Sequence, residues 1–234
     1  MKAFILSATF LLALAGGARQ DEERRMLDAK LVPAEGSSAR DFVPKGWRLE
    51  TDEGEVRGDL NRDGTPDAVL RLVEDLPMQA SDGTLNARYR ALVILLAKPG
   101  GGFTRATVAT KLLGCTLCYG VLGDPAGGNI QIGIKNGILD VSQLSGSREA
   151  TDLTLRFRQD PVTNRFQLIG EEQSDYDRAA GGGTNTSTNY LTGVRVIKTT
   201  TVGRRRREST SSKTTRVPRT RRFIEDVDYE SSRQ

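Results

Sequence analysis

From Phe42 onward, apolar and polar residues alternate with a period of two. Ile130, Ile132 and Ile134 are interleaved with Gln131, Gly133 and Lys135, and Leu153, Leu155 and Phe157 with Asp152, Thr154, Arg156 and Arg158. Side chains on an extended strand point alternately to the two faces of a sheet, so this pattern predicts half-buried antiparallel strands. The joints carry turn chemistry. Asn136-Gly137 fits a two-residue hairpin turn because both residues tolerate positive φ, and Asp160-Pro161-Val162-Thr163-Asn164 joins the next pair of strands. Arg90–Ala97 is continuously apolar in its middle, which predicts a central strand buried on both faces, with a short buried helix as the competing reading. Pro99-Gly100-Gly101-Gly102 ends it either way. No amphipathic helix of three turns stands out. The expectation is a mostly β chain of antiparallel hairpins forming a sandwich, a barrel or a single curved sheet.

After Gly181-Gly182-Gly183 the chain resumes strand-like character at 189–198, 214–217 and 222–225. Between them lies Arg204-Arg205-Arg206-Arg207, followed by Glu208-Ser209-Thr210-Ser211-Ser212. This reads as the exposed loop of a late hairpin, and disorder from 199 onward fits the composition equally. Residues 42–198 are thus read as the β-rich domain and 199–234 as a basic hairpin or tail.

The first residues read as an address. Met1-Lys2 precedes a short apolar run through Ala15, then Gly16-Gly17-Ala18 and a charged stretch. One positive charge, an apolar segment too short for the ~20 residues of a membrane span, and small residues before a polar flank are the layout of a secretory signal peptide. Cleavage fits after Ala15 or after Ala18; a buried N-terminal helix is the alternative. An exported chain, periplasmic or extracellular, follows from that reading. Residues 19–41 mix charges with small polar residues and read as a flexible leader.

Charge and composition narrow the chemistry. Residues 1–198 carry 24 Lys/Arg against 25 Asp/Glu, while 199–234 carry 10 against 5, so the basic character belongs to the C-terminal segment. Histidine is absent. Ser-His-Asp and Cys-His catalysis are therefore excluded, and the commonest zinc ligand is missing. No glycine-rich dinucleotide fingerprint, phosphate-binding loop or nucleophile elbow occurs.

The most informative stretch is Gly58-Asp59-Leu60-Asn61-Arg62-Asp63-Gly64-Thr65-Pro66-Asp67. A hard cation such as calcium takes six to eight oxygen ligands, and oxygen-bearing side chains at alternate positions of a tight loop can supply them. Asp59, Asn61 and Asp63 fill the first, third and fifth positions; Gly64 permits the sharp turn; Thr65 offers its carbonyl and Asp67 stands at the ninth. An EF-hand needs a glutamate at the twelfth position, where this chain has Leu70, and the strand-like 68–73 leaves no room for its second helix. The stretch resembles the calcium loops of FG-GAP and VCBS-type repeats, which join β-strands. That resemblance covers about residues 55–73 and implies Asp59, Asn61, Asp63, Thr65 and Asp67 as the Ca²⁺ ligands. A single copy does not imply a complete propeller. Gly123-Asp124-Pro125, Asn136-Gly137 and Asn189-Tyr190-Leu191-Thr192-Gly193 add a similarity to exported bacterial proteins that carry one such loop. The alternative for the loop is an ion-free turn whose side chains cap backbone amides.

Cys115-Thr116-Leu117-Cys118 holds the only two cysteines. In an oxidising compartment a local disulfide is the default; two cysteines without histidine do not complete a usual zinc set, and a redox motif would need a βαβ setting that is absent. Arg204, Arg205, Arg206 and Arg207 offer an anion-binding patch for phospholipid headgroups or an acidic polysaccharide, or form a solvated hairpin tip. Export, and the lack of a nearby aromatic side chain before Phe223, argue against nucleic acid. The sequence thus favours an exported, calcium-binding, non-enzymatic β-domain with an envelope or extracellular partner. Its rivals are an exported hydrolase using paired carboxylates and an adhesin for anionic surfaces.

Overall fold

The computed structural model describes residues 26–51, 54–203 and 207–230. The segment read as a signal peptide, and Arg204, Arg205 and Arg206, lie outside the described residues. The regular elements among the described residues are antiparallel strands in two sheets and short 3-10 turns. Where apolar and polar residues alternate, a strand has one face to bury, which accounts directly for the half-buried strands.

The first sheet contains β1 (Glu35–Gly36), β2 (Trp47–Leu49), β3 (Glu55–Gly58), β4 (Asp67–Glu74), β5 (Arg90–Ala97) and β6 (Phe103–Ala109). Its order is β1-β6-β5-β4-β2, with β3 pairing on β4 beside β2. β4 is buried at every position and β5 at all but its last two, so the continuous apolar run at 90–97 is a central strand, not a helix. The second sheet is a meander in sequence order: β7 (Ile130–Lys135), β8 (Ile138–Gly146), β9 (Glu149–Gln159), β10 (Phe166–Asp177), β11 (Gly183–Asn189), β12 (Val194–Val202) and β13 (Glu208–Arg216). One sheet curls into a half-barrel, the other stays open, and no propeller closes.

Two turns show why the connections fall where they do. Asn136 and Gly137 both adopt positive φ, 53° and 72°, and link β7 to β8. Asn164 at φ 56° closes the loop between β9 and β10. These are left-handed backbone positions that asparagine and glycine fill at low cost.

The main core lies between the sheets. Leu139 and Val141 of β8, Leu153, Leu155 and Phe157 of β9, and Phe166 and Leu168 of β10 pack against Val69, Leu92 and Ile94 of the first sheet. Burying each such side chain contributes roughly 1.5–3 kcal/mol. The opposite face of the first sheet forms a second core of Ala68, Leu70, Leu72, Ala91, Val93 and Leu95.

That second core corrects the reading of 19–41 as a flexible leader. From residue 26 onward the segment covers the sheet: Leu27, Val32 and Ala39 are buried and, with Phe42, seal its outer face. Four widely spaced apolar anchors carry no periodic signal, which is why the segment reads as polar. The boundary at 198 is also displaced. β12 runs on to Val202 and pairs with β13, giving the late hairpin, while Ile224, Val227 and Tyr229 return to the main core. The amide of Leu168 donates to Arg222 O at 2.9 Å and that of Tyr229 to Lys111 O at 2.9 Å, fixing the return. Among the described residues no helix is long and apolar enough to cross a membrane.

Candidate functional site

The acidic loop sits in the bend between β3 and β4, two strands paired from Glu55↔Leu70 to Gly58↔Asp67. Arg62 at φ 64° and Gly64 at φ 86° turn the chain sharply and set alternate side chains on one side. The amide of Asp63 donates to Asp59 Oδ1 at 3.1 Å and to Asn61 Oδ1 at 3.0 Å. Asn61 Nδ2 lies 2.7 Å from Asp63 Oδ2, and the amides of Gly64 and Thr65 donate to Asp59 Oδ2 at 2.9 Å and Asp63 Oδ1 at 2.7 Å. Three of the sequence-derived ligand side chains therefore converge. The hydrogen bonds from Asn61 and Thr65 hold the Asp63 carboxyl below its usual range. Thr65 is exposed beside them.

Asp67 stands apart. It is fully buried at the start of β4, where Oδ2 accepts from Leu60 N and Oδ1 from Ala97 N, both at 2.8 Å. Burial pushes its carboxyl up, against the pull of the Ala97, Leu60 and Asn61 amides, and the Asp63 charge adds to the push. Asp67 thus braces the loop to the end of β5. Each carboxylate oxygen has a second lone pair, so the brace leaves capacity for a ligand role. All side-chain donors here are hard oxygens, the type a calcium-class ion selects. Among the described residues no group of three or more Cys, Asp or Glu side chains gathers as a metal cluster; the convergence is made by two carboxylates and an amide.

The loop also lies at the seam between the sheets. Arg62 reaches the β7–β8 turn, donating through Nη2 and Nε to Asn136 O at 2.7 and 3.2 Å. At Gly58 a Cβ would fall 2.6 Å from Ile134 Cγ2, so only glycine allows so close an approach.

The other sequence-derived residues lie elsewhere. Cys115 and Cys118 are joined as a disulfide at a tight turn. That turn delivers Tyr119, whose buried hydroxyl accepts from Gly114 N at 2.7 Å and donates to Gln143 Oε1 at 2.5 Å. Burial pushes this hydroxyl above its ordinary value. Arg207 is exposed at the entry to β13. Farther on, the basic residues are drawn back onto the second sheet: Arg219 Nε donates to Thr192 O at 3.2 Å, Arg221 pairs with Asp160 at 3.4 Å, and Arg222 approaches Glu171 at 3.7 Å.

Sequence reasoning missed a buried ionic cluster. Glu50 Oε2 lies 3.0 Å from Arg71 Nε, and Glu50 Oε1 accepts from Arg90 Nε at 2.7 Å. Arg71 also donates to Ile130 O at 2.8 Å, and Arg88 to Pro125 O at 2.8 Å. These arginines pin the loop around Gly123-Asp124-Pro125 to the first sheet. Part of the signal was available: Arg71 interrupts the apolar run 68–73, and Arg90 opens the run that ends at Ala97.

A groove of about 630 Å³ near Gly181–Gly183 holds Glu149, Asp175 and Asp177. Two of its carboxylates, Asp175 and Asp177, are already engaged. Arg148 clasps Asp177 at 2.9–3.2 Å and, with the Ala180 and Ala179 amides, holds that carboxyl far below its usual range. Asp175 accepts from the Thr151 hydroxyl at 2.7 Å and the Gln173 amide at 2.8 Å. A proton donor for glycoside cleavage needs a carboxyl raised toward neutrality, and the Arg148 clasp moves Asp177 the other way.

The chain matches no protein-family model, no curated protein and no solved structure.

Proposed function

We propose that the chain is a calcium-binding β module that works outside the cytosol as a non-enzymatic binding or structural domain. Its FG-GAP/VCBS-type loop would hold the ion through Asp59, Asn61, Asp63, the Thr65 carbonyl and Asp67. The observation that carries this reading is the convergence of Asp59 Oδ1 and Asn61 Oδ1 on one amide, with Asp63 beside them. The loop keeps two carboxylates close together on an exposed bend, and a divalent cation would neutralise their repulsion. The role is structural. Arg62 ties this bend to the β7–β8 turn, so an ion that stiffens it stiffens the contact between the sheets. The compartment rests on the signal-peptide layout of the first 18 residues.

Calorimetric titration of the chain lacking residues 1–18 with Ca²⁺, and separately with Mg²⁺, tests the reading. Calcium should bind, magnesium should bind more weakly, and the thermal midpoint should rise with calcium. At a hundredfold excess over Kd the gain is about 2.7 kcal/mol. Asp63→Ala should abolish both heat and shift; an equal shift in that variant assigns the ion elsewhere.

A further inference from the structure

We infer that β13 is a self-pairing edge through which two copies of this chain join into one continuous sheet. β7, at the other margin of the second sheet, is covered, with Ile134 pressed against Gly58 of the first sheet. β13 is nine residues long, eight of them exposed, and no strand lies beyond it among the described residues. An unpaired edge of that length presents backbone groups ready to template another strand.

The backbone of β13 dictates which groups face outward. Its register against β12 runs unbroken from Val194↔Arg216 to Val202↔Glu208. Gly203 N donates to Arg207 O at 2.8 Å and Val217 N to Gly193 O at 2.9 Å, one at each end of the ladder. In an antiparallel pair, hydrogen-bonded positions alternate. Odd-numbered residues of β13 therefore spend their amides and carbonyls on β12. Those of Glu208, Thr210, Ser212, Thr214 and Arg216 point to the open side.

A two-fold axis through Ser212 sets these residues against one another in a second copy: Ser212 faces Ser212, Thr210 faces Thr214, and Glu208 faces Arg216. Every facing pair then has amides and carbonyls aimed at each other. Both ends carry opposite charges, and Lys213 meets Ser211. A slip of one residue puts outward groups against inward ones and forfeits the ladder. A slip of two residues keeps the ladder but sets Glu208 against Thr214 in one direction and Lys213 against Lys213 in the other. Hydrogen-bond parity and charge select the same register independently. The resulting contact is isologous, so each interaction occurs twice.

Sedimentation velocity on the chain lacking residues 1–18 tests this, with circular dichroism to confirm that each variant stays folded. A dimer is expected at micromolar concentration. Ser212→Pro removes the outward amide at the axis and should give a monomer that keeps the wild-type circular-dichroism spectrum. Glu208→Arg and Arg216→Glu should each weaken dimerisation ~10-fold or more by setting like charges face to face; the two together should restore it. A monomer at millimolar concentration, a dimer indifferent to Ser212→Pro, or a charge swap that restores nothing overturns the inference. None of these readouts depends on calcium.

Discussion

Glu50 and Arg90 meet with both side chains shut away from water: Glu50 Oε1 accepts from Arg90 Nε at 2.7 Å and lies 2.5 Å from Nη2. The same carboxylate faces Arg71, so one buried negative charge balances two guanidinium groups. Removing one partner from such a cluster leaves charge uncompensated in a low-dielectric interior. Glu50→Gln should lower stability by about 3–5 kcal/mol, measured from urea unfolding. A loss below about 1 kcal/mol, the level of an exposed pair, would contradict the burial of this cluster.

Phe42 tests whether the N-terminal segment belongs to the fold. Its ring is fully buried in the second core. Phe42→Ala should cost about 3–5 kcal/mol in the same assay. If the segment were loosely attached, the variant would unfold with the wild type.

Gly137 carries a second structural test. It holds φ 72°, and a Cβ there would lie 2.6 Å from Arg62 Nε. Gly137→Ala should cost about 1–2 kcal/mol from the left-handed backbone alone. It should also weaken calcium binding, because Arg62 must leave the turn. Unchanged calorimetry would separate the loop from the seam.

The Arg148–Asp177 pair predicts a pH dependence. The folded-state pKa of Asp177 lies below its ordinary 3.8, so in acid the unfolded chain binds more protons at this group than the folded one. Its contribution is present in full above that ordinary value and disappears as pH falls below it. Between pH 6 and 3 the wild type should lose more stability than Asp177→Asn, by urea midpoints at matched ionic strength. Parallel losses would remove Asp177 from the account.

Much of the second sheet was legible because its strands bury one face only. Ile130, Leu153, Leu155 and Phe157 alternate with polar residues, and Asn136-Gly137 marks the turn between β7 and β8. The central strand β5 was legible from its unbroken apolar run. Leu27, Val32, Ala39 and Phe42 were not, because the covering segment is irregular and its anchors follow no period. The convergence of Asp59, Asn61 and Asp63 could be read from spacing. The inward turn of Asp67 could not, since its partner Ala97 is 30 residues away across β4 and β5. Arg71 and Arg90 stand out as charges beside apolar runs, but their pairing with Glu50 escaped for the same reason: Glu50 is 40 residues from Arg90 and no local pattern joins them.

Ile224, Val227 and Tyr229 pack into the same core as Tyr119 and the strands of both sheets. During synthesis the meander can zip up hairpin by hairpin as it emerges, yet its interior stays unplugged until these late residues arrive. A chain interrupted after Arg216 would leave open to water the apolar surface that these three side chains cover. Quality-control proteases would meet truncated copies as open vessels, and complete ones as stoppered.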